Sequence, residues 1–309
     1  MKKKILSVDI VIPQYKNNHL LMKALDSMSN IVFPDEINNV WVIENGGKFG
    51  AEHVVDSFKD KIPVKYAYLD EGNLSLARNK GIELSNADVL IFFDNDMTFY
   101  SYSLSQYIDH FKKYGDAYFY GGALEPDYQK APEEWLVPFL PNSAKGFSLG
   151  KNVIKHDKPD FLGGNHAVYR QHLIDIGGYD SACAVGNNSG LMGEETRLQQ
   201  KLLDKNIKGL YVPDACVKHY VPVQNCSKEW ILQRASRHGA TLGESYPEND
   251  YKKLFRVPIY HFRIVANKLL QIILNIGNKR DQFKYRYQLA IELALIKQVF
   301  KKNKRKGHK

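Results

Sequence analysis

The chain has 309 residues, 44% hydrophobic, 12% aromatic and 25% charged, which is enough for a packed core and excludes wholesale disorder. Its three cysteines, Cys183, Cys216 and Cys226, are odd in number and form no C-x-x-C pair, so neither a disulfide framework nor a cysteine zinc site is indicated, and a reducing, cytoplasmic setting is expected. The net charge of +9 is uneven: residues 226–309 carry 19 Lys+Arg against 6 Asp+Glu (+13) and residues 1–225 carry 24 against 28 (−4), an acidic body that argues against a nucleic-acid enzyme.

At the amino end, the apolar part of "MKKKILSVDIVIP" before Ser7 is only Ile5-Leu6, too short for a signal-peptide core. No run of 18 apolar residues follows. "VDIVIP" (8–13) predicts a strand ending in proline. Leu20, Leu21, Ala24, Leu25 and Met28 recur at helical spacing over 18–28. A strand over 39–44 stops at Gly46-Gly47, and a short helix over 51–58 follows. A strand over 64–69, a helix over 74–85 and a strand over 88–93 complete the first 120 residues. Such alternation predicts crossover units and a mainly parallel α/β sheet, with ligands outside the carboxyl ends of the strands. Further on, 117–122 and 208–213 read as strands and 193–204 as a helix with Leu198, Leu202 and Leu203 on one face. Segments 132–146 and 184–193 are rich in turn formers and read as loops over a site.

The stretch "DVLIFFDNDM" (88–97) carries the chemistry. In an extended chain alternate side chains share a direction, so Asp94 and Asp96 would face one crevice with Asn95 turned away. Two close carboxylates repel unless a cation sits with them, and Mg²⁺ or Mn²⁺ suits oxygen ligands and substrate phosphates. The competing reading is a polar turn capping the strand. His219, placed after another strand, is either a structural histidine or an imidazole ligand to the same ion. Glu194 and Glu195 open a helix, where they either favour its dipole or supply a general base. There is no G-x-x-x-x-G-K-[ST] and no G-x-G-x-x-G, which disfavours P-loop and dinucleotide enzymes. A nucleotidylyltransferase would need a Gly-rich basic loop where "PQYKNN" stands, and an aspartyl phosphatase would need its D-x-D after the first strand.

Taken in order, "VDIVIPQYKNNHLLMKALDSM", "WVIENGG", "GNLSLARNKGI", "IFFDNDM", "FLGGNHAVYRQHLIDIGGYD" and "GEETRLQQKLLDKNIKGLYVPDACVKH" resemble family 2 glycosyltransferases, the later part also resembling the C-terminal half of galactosyltransferase-type catalytic domains. The resemblance covers roughly residues 5–225. It implies a GT-A fold over 1–225, with a nucleotide-binding half to about 120 and an acceptor half from about 121; charge and helical pattern mark 226–309 as a basic helical tail. It also implies a nucleotide-sugar donor, a saccharide or lipid-linked saccharide acceptor, a divalent cation and inversion at the anomeric carbon. By this resemblance Pro13 and Tyr15 lie against the base, Glu44 stands where the family has a base-holding aspartate, and Arg78 lies near the nucleotide. Asp96 binds the metal directly, Asp94 helps hold ribose or metal, Asn95 lies between them in the donor site, and His219 is the later ligand. Gly163, Gly164 and Asn165 form the loop approaching the sugars. Glu195 holds the base position, with Glu194 as the alternative. A catalytically inactive sugar-nucleotide-binding scaffold is the competing class.

In the tail, Phe262, Val265, Leu269, Ile272 and Ile276 recur at helical intervals, and Tyr287, Ile291, Ala294 and Gln298 mark a second helix after Gly277-Asn278. Lys/Arg-rich amphipathic helices of this kind are expected on an anionic membrane surface, making the protein peripheral there. The alternative is packing on the catalytic body or on a second subunit of a homo-oligomer.

Overall fold

The computed structural model describes residues 6–181, 193–247, 251–254 and 257–306, which divide into two compact units. The predicted loop 184–193 lies, except for Gly193, outside the described residues, as does Cys183. The first unit comprises residues up to 127 with 145–181 and 193–220, and the second comprises 128–144 and 221 onward. Segment 128–144 therefore belongs with the helical unit, a grouping across the chain that the expected cut at 225 did not include.

The first unit opens with β1 (Val8–Gln14), α1 (Asn18–Ser29), β2 (Ile37–Asn45), α2 (Ala51–Asp56), β3 (Val64–Leu69), α3 (Leu74–Leu84), β4 (Val89–Phe93), β5 (Met97–Phe99) and α4 (Ser103–Tyr114). β6 (Tyr118–Tyr128), β7 (Ile154–His156), β8 (Asn165–Tyr169), α6 (Arg170–Asp175), α7 (Glu194–Asp204) and β9 (Lys208–Val221) follow, while α5 (Asn142–Lys145), between β6 and β7 in the chain, falls almost wholly in the second unit. Nine strands among the described residues form one sheet in the order β3-β2-β1-β4-β8-β6-β9-β5, with β7 also on β9. Every residue of β1 and β4 is buried, as central parallel strands covered on both faces require. β3-β2-β1-β4 pair in parallel; β8 returns beside β4 antiparallel, and β6/β8, β5/β9 and β7/β9 are antiparallel too. The expectation of a mainly parallel sheet is thus corrected. The strand–helix alternation behind it ends at β4, and the sheet is mixed.

The second unit holds α8 (Lys228–Glu244), the ribbon β10 (Lys253–Leu254) with β11 (Val257–Pro258), α9 (Ile259–Leu274) and α10 (Lys279–Lys306). The α8 and α10 backbones approach closely: a Cβ on Gly239 would lie 2.1 Å from the Ile291 carbonyl oxygen, and one on Gly243 2.7 Å from that of Leu295. Gln298 donates to Glu244 across the same contact at 2.6 Å. The Ile291/Gln298 face is therefore spent on packing inside the unit. Leu136 and Leu140 join Val221, Ile231 and Phe283 in its core, and Phe283 stands edge-on to Trp135 and Phe139. Segment 132–146, read as a loop over the site, instead contains a 3₁₀ turn (Glu134–Phe139) and α5, and its apolar side chains build this core. Cys216 and Cys226 are buried free thiols. No helix among the described residues is long and apolar enough to cross a membrane.

Candidate active site

A cavity of about 470 Å³ opens at the carboxyl ends of β1 to β4, where the turns after parallel strands expose backbone and polar side chains. Pro13 and Tyr15 line it from β1, Asn45 and Gly46 from β2, Asp70 and Gly72–Leu74 from the loop after β3, and Asp94, Asn95 and Asp96 from the turn after β4. Buried Gln14 ties three of these ends together. Its carbonyl accepts from Asn45 at 2.9 Å, its side-chain oxygen from Asn95, and its amide donates to Asn18 at 2.9 Å. Gly46 has φ +73, and a Cβ there would lie 2.7 Å from the Gly72 Cα, so only glycine lets the two loops close the cavity wall. Tyr15 is 50% exposed, with Phe49 edge-on at 5.4 Å and the Lys16 ammonium over both rings.

Asp94 to Asp96 form a turn, with the Met97 amide donating back to the Asp94 carbonyl, and not the extended stretch expected from the sequence. Asn95 consequently joins the cavity lining and is not turned away from it. Each carboxylate has its own nitrogen partner. Asp94 Oδ1 accepts from Arg78 at 3.0 Å, and Asp96 Oδ2 lies 3.3 Å from His219 Nε2. His219 sits inside β9, opposite Met97 of β5, and does not follow a strand as read from the sequence. The other oxygen, Asp96 Oδ1, is buried without a hydrogen-bond partner. Among the described residues no three His, Cys, Asp or Glu side chains converge as a metal cage. Asp96 and His219, with that orphaned oxygen, nevertheless fit one side of a site for a hard cation whose remaining ligands come from substrate phosphate and water.

Arg78, on α3 and 1% exposed, is the hub of the polar interior. It reaches Asp94, Glu194 Oε1 at 3.3 Å and the Gly163 carbonyl at 3.1 Å, and lies over the Tyr179 ring. Arg78, expected near the nucleotide, does not itself line the cavity; its terminal nitrogens face protein oxygens, among them that of the cavity-lining Asp94. Burial raises the pKa of Asp94 even against the opposing charge of Arg78. Glu194 and Glu195 open α7 after Gly193. Glu194 is buried and paired with Arg78; Glu195 is only half-buried, and burial together with the neighbouring Glu194 charge pushes its pKa up to about 7. The two acidic clusters, 94/96 and 194/195, are thus linked through one arginine.

Other residues fall elsewhere than the sequence reading put them. Glu44 is buried and does not line the cavity: its carboxylate accepts from the Phe49 amide at 2.7 Å, the Ala51 amide at 3.2 Å and the Tyr66 hydroxyl at 2.7 Å, capping α2. Asn165 is buried in β8, donating to the carbonyls of Ala123 and Ala215 and accepting from Tyr107. It staples the sheet and does not approach a ligand. Gly164 is beside the site: a Cβ there would lie 2.6 Å from Asp94 Oδ2. Asp70 was missed. Its only sequence signal is its place after the third strand, the same signal that marked Asp94 after the fourth. His166, buried and held near pKa 3 by burial and Arg78, hydrogen-bonds the Tyr179 hydroxyl and supports the Arg78 hub as a neutral ring.

The model of glycosyl transferase family 2 matches residues 9–177, more than half of the chain. The protein belongs to glycosyl transferase family 2. This family 2 chain is 24% identical over 207 residues to the glucosyl-dolichyl phosphate glucuronosyltransferase of Haloferax volcanii, covering 64% of each chain. It therefore spans less than two thirds of that relative's length. It is 24% identical over 263 residues to the succinoglycan biosynthesis protein ExoM of Rhizobium meliloti, covering 81% of this chain and 79% of that one. Among solved structures it resembles the mannosyltransferase PcManGT of Pyrobaculum calidifontis, solved with GDP-Man and Mn²⁺, at TM-score 0.59 and 16% identity, covering 97% of this chain and 89% of the other. The fold is that of GT-A glycosyltransferases, a mixed α/β sheet with flanking helices.

Proposed function

We propose that this protein is an inverting glycosyltransferase that moves a sugar from a nucleotide-diphosphate donor, UDP-linked, to a hydroxyl of a saccharide or lipid-linked saccharide. The observation that carries this reading is the pairing of two differently tuned acidic sites around Arg78. One is the cavity-lining Asp96 with a buried orphan oxygen, and the other is the half-buried Glu195, whose pKa is raised to about 7. The named activities of the Haloferax volcanii and Rhizobium meliloti relatives support a lipid-linked acceptor and a role in polysaccharide synthesis.

The cavity at the strand ends takes the nucleotide, with the exposed Tyr15 ring against the base and Asp70 and Asn95 offering polar contacts to base and ribose. Asp96 and His219 would hold Mn²⁺ or Mg²⁺, which when bound supplies positive charge against the departing diphosphate. Asp94, held by Arg78, fixes the turn that carries Asp96. Glu195 takes the proton from the acceptor hydroxyl as that oxygen attacks the anomeric carbon opposite the diphosphate, so one displacement inverts the centre. Glu194, neutralised by Arg78, leaves the base role to Glu195.

The test is a thermal-shift panel of UDP-, GDP- and dTDP-sugars with and without Mn²⁺, followed by product analysis. A UDP-sugar at about 100 times its dissociation constant should stabilise the protein by about 2.7 kcal/mol. Asp96→Ala should lose the Mn²⁺-dependent part of that shift. A shift indifferent to Mn²⁺ in the unmodified protein would overturn the metal assignment. Binding without any product in a range of acceptors would instead favour the inactive scaffold. Gly164→Ala should lower both the melting temperature and kcat/KM, the latter roughly tenfold, because its methyl group crowds buried Met97 and displaces Asp94 from Arg78. Steady-state kinetics beside a melting curve checks it.

A further inference from the structure

The C-terminal half of α9 presents an apolar face that nothing in its own unit covers. Ile273, Leu274 and Ile276 are 62%, 67% and 70% exposed, and Leu269 and Leu270 are about half exposed beside them. Surface apolar residues scattered singly are ordinary, but five within eight positions are not. The first half of α9 behaves differently: His261 is buried and hydrogen-bonded to Glu292 of α10, and Phe262 packs near Val257 and Leu295. The helix is therefore anchored at one end and bare at the other.

The bare end is rimmed by cations. Lys268 lies over the Tyr285 ring at 5.5 Å, and Lys279, Arg280 and Lys284 are exposed in the first turns of α10. Arg280 and Lys284 also line a cavity of about 500 Å³ with Asn278, Phe139 and Tyr287. Its one carboxylate, Asp281, is engaged by the Asn278 amide at 2.7 Å, and its Gln288 Oε1 is buried without a hydrogen-bond partner. An apolar tip, a cationic collar and a basic pocket with an unused acceptor match an anionic bilayer surface: acyl chains, phosphates and headgroup hydroxyls in that order. A second copy of this chain fits poorly, because its collar would bring like charges together.

We infer that the α9–α10 corner, and not the basic tail as a whole, docks on an anionic lipid surface, with residues 269–276 entering the leaflet and Arg280 and Lys284 taking a lipid phosphate. The surface narrows the expectation drawn from the sequence, since the face of α10 read there as amphipathic is used against α8. It is independent of the transfer chemistry and of its site.

The experiment is flotation of the full chain with phosphatidylcholine vesicles and with vesicles containing 30% phosphatidylglycerol, the composition being about a third anionic as a probe of charge dependence. The protein should float with the anionic vesicles and be released by high salt. Ile273→Glu/Leu274→Glu should lower the partition coefficient at least tenfold, and Arg280→Ala/Lys284→Ala roughly 25-fold, at about fivefold per cation. All these side chains are exposed, so the melting temperatures should match the unmodified chain; Ile273→Ser/Leu274→Ser serves if the charged pair unfolds. Equal flotation of the apolar variants, or no preference for anionic vesicles, would overturn the proposal. So would a concentration-dependent dimer in light scattering that the apolar variants abolish without altering flotation.

Discussion

Glu195→Gln should bind donor nucleotide as the unmodified protein does, yet lose turnover by about 10²- to 10⁴-fold, the usual contribution of a positioned general base. The amide keeps the shape of the side chain and removes its capacity to take a proton. The pH profile gives a second readout. The Glu195 carboxyl sits near pKa 7 because burial and the adjacent Glu194 charge disfavour its ionised form. As a base it works when ionised, so kcat/KM should fall with unit slope as pH drops below about 7, and the glutamine variant should lack that limb. For stability the sign is opposite. A carboxyl raised from 4.5 in the unfolded chain to about 7 in the folded one contributes stability that is full below about 4.5 and is lost as pH rises to about 7. Glu195→Gln, permanently neutral, should therefore melt no lower than the unmodified protein at pH 8 while being nearly inactive. A variant that melts lower and retains turnover would remove Glu195 from the base role. Normal turnover in Glu195→Gln but none in Glu194→Gln would move the role to its neighbour.

Arg78→Met should be the most destabilising single change around the site. The guanidinium is buried and compensates Glu194, itself buried, and Asp94. Removing one member of a buried ion pair leaves an uncompensated charge and costs about 3–5 kcal/mol. For a chain of this size that corresponds to a drop of roughly 10 °C in Tm. Transfer should be lost as well, since Asp94 no longer fixes the turn that carries Asp96. Arg78→Lys keeps the charge but not the planar fork that reaches Asp94, Glu194 and the Gly163 carbonyl together, so it should recover stability only in part. Calorimetry of both variants at pH 7, with the double variant Arg78→Met/Glu194→Gln, checks the assignment. If the ion pair is the cause, neutralising Glu194 should return part of the lost stability. If the loss is one of packing volume, the double variant should melt no higher than Arg78→Met.

The strand–helix alternation over residues 8–93 was legible in the sequence because it is a local property. β-branched runs punctuated by Gly and Pro, and helical apolar spacing, need no partner to be read. The positions of Asp94 and Asp96 at the end of a buried strand were legible for the same reason, as was a pair of glutamates at the start of α7. Which polar groups face a ligand and which are spent inside the protein was not. Glu44, Asn165 and Arg78 have the residue types of a binding site, yet each is consumed by partners 5 to 116 residues away in sequence. Asp70 is as plain as any loop aspartate until the glycine contact at Gly46 and Gly72 brings its loop to the cavity. In the tail, the sequence specified two apolar, basic helices, while only the contact of α10 with α8 decided that one face is packed and that of α9 is bare. A chain segment carries its own periodicity and charge, but burial and pairing are properties of two segments together, and those exist only once the fold has closed.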